Sequence, residues 1–284
     1  MAEQRLIVPD TSHLFAPLRA GLVALLRALE PADWDRPTVA GAWRVRDVVA
    51  HLLDAELRTI GAHRDGHMLT AGEVRSYADA MELIQRLNAE GVAFGRRLSP
   101  QLLVDLLAVT GDWMSTFVTS LDPDARAVFA VAWAGESQST NRFDTAREYT
   151  ERWHHEMQIR TALGPRGNAT ALLSEEFAVP LIETSVRALP HAYHESAAGD
   201  GSTLVVVIDG SSWRRTYSMR REAGEWTLRV GDTPNAGARI AGDVDVWWRL
   251  LFNALKGAEA TRSFVATGAP ELLAPLWGTR SVMV

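Results

Sequence analysis

The period of the apolar residues changes once along this 284-residue chain, and that change constrains its architecture more than any other feature. Over the first two thirds the period is helical. Leu14, Leu18, Leu22, Leu25, Leu26 and Leu29 fall on one face, and Pro31 closes the run. Val45, Val48, Val49, Leu52, Leu53 and Ile60 form a second face, and Met81, Ile84, Leu87 and Phe94 a third over about 77–98. Ser99-Pro100 supplies an N-cap and a first-turn proline for a fourth helix through Leu103, Leu107, Trp113 and Phe117. A fifth is predicted over 140–163, ended by Gly164-Pro165. A sixth spans 174–189, where Pro180 should bend it or move its start.

A polar, glycine-containing stretch covers 190–202, and beyond it the pattern is that of strands. TLVVVID at 203–209 is rich in β-branched residues, and 213–220 and 225–230 flank an Ala223-Gly224 turn. Residues 238–241 and 263–266 read as short strands, with a helix over 243–256 between them. The expectation is an α+β protein: a helical bundle over 1–195 followed by a small α+β domain over 203–284.

Composition narrows the function. At 31.2 kDa the chain exceeds the usual single core, and 47% apolar with 23% charged residues is a globular balance. It has no cysteine, which excludes disulfide frameworks, thiolate zinc fingers, iron–sulfur clusters and a catalytic cysteine. Any thiol chemistry must therefore use an external thiol. A net charge of −6 argues against a nucleic-acid partner. No uninterrupted apolar run approaches a membrane span, and Met1–Asp10 lacks a signal-peptide core, so a cytoplasmic protein without a membrane partner is expected.

There is no phosphate loop, dinucleotide fingerprint or Gly-x-Ser-x-Gly elbow. His155-Glu156 begins like a zincin motif, but Ile159 stands where its second histidine belongs. Two places remain. His51 lies within a strongly apolar helix beside Val48 and Leu52; alone, it reads more readily as a core histidine bonded to a carbonyl. Asp47 and Asp54, to either side, read as solvated charges. Glu151 and His155 are four apart, so on a helix they share a face, and a carboxylate with an imidazole suits a divalent ion. An isolated pair at that spacing is usually a surface contact, and His154 is the alternative to His155. One histidine from one helix and a Glu-x-x-x-His from another would supply three ligands and leave a fourth position open, the arrangement of catalytic rather than structural sites. His63 and His67, between Gly61 and Gly66, read as a solvated loop; His13 lies at a helix start and His191 and His194 in the linker.

The run WDRPT at 34–38 and GAWRVRDVVAHL at 41–52 resembles the N-terminal signature of the DinB-like family, in the branch of mycothiol-dependent maleylpyruvate isomerases. The resemblance implies a metal-binding four-helix bundle with His51 as first ligand. Glu151, His155 and Gly164 match the second signature, which implies Glu151 and His155 as the other two. Gln158 stands where the family typically has an aspartate. GDVDVWWRLLFNAL and FVATGAPELLAPLW resemble the sterol-carrier-like C-terminal domain of this branch. There the helix commonly ends in Gly-Arg; here it reads Asn253-Ala254-Leu255-Lys256, so no thiol-contacting arginine is carried over.

The implied cofactors are a divalent metal, zinc first with nickel, iron or manganese as alternatives, and mycothiol or another small thiol. The implied activity is thiol transfer to, or thiol-assisted isomerisation of, a small electrophile such as maleylpyruvate, by a monomer or homodimer. Two other readings stand beside it. One is a non-catalytic protein binding a metal, or an apolar molecule among Trp247, Trp248, Phe252, Phe264 and Trp277, residues that read more readily as a core. The other is a metal-dependent hydrolase that needs no thiol.

Overall fold

The computed structural model describes residues 4–67 and 77–281, and these fall into two compact units. One comprises the described residues of Thr11–Val128 and Glu151–Ala169. The other comprises those of Met1–Asp10, Phe129–Thr150 and Thr170–Met283.

The first unit is a helical bundle of α1 (Phe15–Arg27), α2 (Val45–Thr59), α3 (Tyr77–Gly95), α4 (Pro100–Ser120) and, from Glu151 onward, α5 (Asn141–Leu163). Local chemistry sets the ends. The Ser99 hydroxyl accepts the Leu102 N–H at 3.2 Å to start α4, and the Asp47 carboxylate accepts the Arg44 N–H at 3.1 Å to start α2. Gly164, with φ +61°, closes α5 as its sequence predicts. Three of the predicted apolar faces meet in one core, Leu22 and Leu26 from α1, Val45, Val48, Val49 and Leu52 from α2, and Leu103 and Leu107 from α4, joined by Ile159 and Leu163 of α5. Phe94 of the third predicted face and Trp113 of the fourth are exposed instead. Each core side chain removed from water contributes about 1.5–3 kcal/mol. By length and composition α4 would suit a membrane span, which uninterrupted apolar runs do not reveal. Here Leu103, Val104, Leu107, Met114 and Val118 of that helix are buried.

In the second unit six strands form one sheet: β1 (Gln4–Arg5), β2 (Thr203–Asp209), β3 (Arg214–Glu222), β4 (Glu225–Val230), β5 (Ala238–Asp243) and β6 (Val265–Gly268). Their order is β1-β4-β3-β2-β5-β6, antiparallel except for the β2–β5 pair. Ala223 and Gly224 both have positive φ, +49° and +82°, the two-residue turn that matches strand twist. Helices α6 (Glu175–Ser185), α7 (Ala188–Ala192), α8 (Val244–Leu251), α9 (Gly257–Arg262) and α10 (Pro270–Leu273) complete it. Pro180 lies inside α6 without moving its start. The helix expected over 243–256 stops at Leu251 because Asn253 takes φ +63°, and α9 follows. The last strand runs two residues later than expected, since Ser263 caps α9. Strand β1, two residues long, is too short to leave a periodic signal.

Helix α3 packs closely on α2 at Gly95, where an added Cβ would lie 2.3 Å from the Ala50 Cβ. At an open helical position alanine is favoured over glycine by about 1 kcal/mol. Gly95→Ala should instead destabilise the protein by roughly 1–3 kcal/mol through overpacking, read as a lower urea midpoint.

Candidate metal centre

The centre is assembled within the bundle from a loop, α2 and the second half of α5. In the loop before α2, Pro37 and Arg44 form a bridge, the Thr38 N–H and hydroxyl both bond the Trp43 carbonyl (3.0 and 2.8 Å), and the Trp43 N–H bonds the Ala40 carbonyl at 3.2 Å. This tight turn fixes Trp43, whose ring lies 5.0 Å from that of His51 and 6.5 Å from that of His155. Asp47, expected to be solvated, is buried and takes Arg96 on both oxygens at 2.8 and 3.1 Å. Burial alone would raise its pKa, but the bonds from Arg96 and the Arg44 N–H, with the charges of Arg96 and Arg46, hold its carboxyl below the usual value.

His51 and His155 are 6% and 7% exposed, with ring centroids 4.5 Å apart at 68°. One donor atom each from His51, Glu151 and His155 lies within 4.8 Å of the others. The Glu151 Oε2 and His155 Nε2 are 3.4 Å apart. Two ligands about 2.1 Å from one tetrahedral ion are separated by about that distance. Two imidazoles and one carboxylate are a donor set suited to zinc and its first-row neighbours. Glu151 is half-buried, so the group reaches solvent on that side. The residues present therefore fit a divalent cation.

His154 is not part of this group. It is buried 4.8 Å, centroid to centroid, from His155, and the Gln158 side chain joins the two rings: its Oε1 lies 2.9 Å from His155 Nδ1 and its Nε2 lies 3.0 Å from His154 Nε2. Burial, followed by the neighbouring His155 and His51, pushes the His154 pKa well below the ordinary histidine value, so this ring stays neutral. His63 stacks edge-on against Phe117, and His191 and His194 stack face to face in and just beyond α7. Neither these nor His13 and His67 join a three-residue metal-ligating group among the described residues.

The sequence reading missed a buried ionic seam alongside the centre. Glu56 accepts bonds from Arg19 (2.6 Å) and Thr110 (2.8 Å) and faces Arg152 at 3.4 Å; Glu156 pairs with Arg160 at 2.6 Å. The seam borders a cavity of about 10 Å³, room for one water at most. The signal was present in the sequence: Arg19 follows Leu18 on the α1 stripe, and Glu56 lies one turn beyond Leu52.

The family model described as the mycothiol maleylpyruvate isomerase N-terminal domain matches residues 15–160. The chain belongs to this family. Among solved structures, the crystal structure of the mycothiol-dependent maleylpyruvate isomerase superposes with a TM-score of 0.54 at 13% identity, over 92% of this chain and 93% of that one. A histidine-to-alanine mutant of that isomerase gives a TM-score of 0.53 over the same shares, also at 13% identity. At this identity the likeness establishes the shared fold, an α+β chain with a helical N-terminal region. No curated protein matches the sequence.

Within the seam, burial raises the Glu156 carboxyl from 4.5 to about 6 despite Arg160 and Arg19, and its Oε2 has no hydrogen-bond partner among the described residues. An acid whose folded pKa is raised contributes stability that is full below the unfolded value and lost as pH rises through the folded one. Between pH 4.5 and 7.5 the wild type should therefore lose about 2 kcal/mol that Glu156→Gln does not, seen as a difference in the pH slope of denaturant-derived stability.

Proposed function

We propose that the bundle holds one divalent cation, zinc before nickel, iron or manganese, on His51, Glu151 and His155, and that the protein is a metal-dependent thiol transferase or isomerase. The thiol is external and small, of the mycothiol kind, and the second substrate is a small electrophile such as maleylpyruvate. One observation carries the reading: in a chain of this family, three side chains from two helices bring donor atoms within 4.8 Å of one another. The absence of any cysteine supports an external thiol, since the chain has no sulfur nucleophile of its own.

When bound, a divalent ion supplies the acidity that strips a coordinating thiol of its proton at neutral pH. The protein's own groups define what comes there. His51 and His155 offer neutral imidazole nitrogens, and Glu151 adds the donor set's single negative charge. A dication would keep net positive charge towards its guest, which favours an anion over a neutral molecule. Trp43 shields the His51 side. His154, held neutral, adds no competing positive charge.

In the isomerase version the external thiolate adds to one carbon of a cis double bond, the resulting single bond rotates, and elimination returns both the thiolate and a trans double bond. In the transferase version the adduct is protonated and released. The buried aromatics of the second unit support a packed core rather than an apolar ligand cavity. Trp247 donates to the Val207 carbonyl and meets Phe264 at 4.8 Å, and Phe264 meets Trp277 at 5.9 Å.

Elemental analysis of the purified protein should find about one divalent metal per chain, and His51→Ala and His155→Ala should each lose most of it, with affinity falling on the order of 100-fold or more. Metal retained in both variants would remove this ligand set. With mycothiol and maleylpyruvate the wild type should exceed the thiol-only background; turnover without any thiol would point to hydrolysis instead.

A further inference from the structure

We propose that Gln158 is a positioning residue that fixes which nitrogen of His155 faces the metal, through a hydrogen-bond chain ending on His154. This rests on the metal reading above. Gln158 is three residues beyond His155 and four beyond His154, so on α5 its side chain can reach both rings. All three side chains are buried, so the chain of bonds is shielded from competing water.

An amide oxygen only accepts and an amide NH2 only donates. With Oε1 on His155 Nδ1 at 2.9 Å, His155 must carry its proton on Nδ1. Its Nε2 then keeps a lone pair, on the side where Glu151 Oε2 lies 3.4 Å away. At the other end the Gln158 NH2 donates to His154 Nε2 at 3.0 Å, so the His154 proton sits on Nδ1. The opposite amide orientation would reverse both rings. His155 would then accept at Nδ1 and present an N–H at Nε2, where it would donate to Glu151 and could not ligate. Gln158 thus couples the two rings: with its oxygen turned towards His155, its NH2 is left to donate to His154.

A carboxylate at position 158 would work differently. It would accept at both ends, force His154 to donate from Nε2, and add a second negative charge to the surroundings of the centre. The amide orients His155 without that charge, so a bound cation would remain more electrophilic towards an anionic guest.

The test uses the full chain with 15N-labelled histidine and two readouts, ring-nitrogen NMR of the metal-free protein and zinc affinity by chelator competition. The expected wild-type result is His155 and His154 both protonated at Nδ1. Gln158→Leu should lose the fixed His155 tautomer and bind zinc about 10–100-fold more weakly. Gln158→Glu should shift the His154 proton to Nε2 while zinc affinity equals or exceeds that of the wild type. A wild-type His155 protonated at Nε2 overturns the proposal, as does a Gln158→Leu protein with zinc affinity within about twofold of the wild type. If Gln158→Leu does not fold, a Gln158→Glu protein whose His154 stays protonated at Nδ1 overturns it instead. A wild type that binds no zinc or other divalent metal overturns the metal reading and this proposal with it, whereas zinc bound normally by wild type and Gln158→Leu alike overturns this proposal alone.

Discussion

Everything at the centre depends on how α2 is held against the second half of α5. The apolar face of α2, from Val45 to Leu53, is almost wholly buried, and a rotation of that helix would expose it. Burial therefore fixes the azimuth of His51. The same logic acts on α5, where Ile159 and Leu163 join the common core and set the direction of His155, one turn before Ile159. The two imidazoles meet because the core packs, and neither ring supplies much of the energy that brings them together.

The buried ionic seam adds register to that packing. Glu56 of α2 takes bonds from Arg19 of α1 and Thr110 of α4 and faces Arg152 of α5, so one carboxylate answers to three other helices. Buried ion pairs contribute little net stability, because desolvation offsets their attraction. A helix out of register, however, would leave Glu56 or Arg19 buried without its partner, at a cost of several kcal/mol. The apolar core gives the bundle its stability, and the seam excludes other alignments of α1, α2, α4 and α5.

Much of this was legible in the residues. The leucine and valine stripes show the helices, and TLVVVID with Ala223-Gly224 shows the sheet, because burial on one face leaves a periodic trace. Glu151 and His155 were recognisable as a pair from helical spacing alone. His51 was not recognisable as their partner from spacing, since it lies a hundred residues away; the count of donors suggested the combination, and the resemblance of GAWRVRDVVAHL singled it out. Asp47 was misread as solvated because an isolated aspartate says nothing about Arg96, which reaches it from the end of α3. Helix α8 ended early for a similarly local reason, the left-handed backbone at Asn253, which no apolar pattern encodes.

The amino-acid order by itself determined the helical and β-rich parts and the exclusion of any internal cysteine chemistry, and it offered His51, Glu151 and His155 as candidate ligands. Those follow from residue type and short-range geometry. The wall made by Trp43, the placement of Gln158 between two rings and the burial of Glu56 among arginines were decided only in three dimensions. Each depends on which helix lies opposite. That is set by the mutual exclusion of water from distant apolar faces, an interaction that leaves no mark at any single position in the chain.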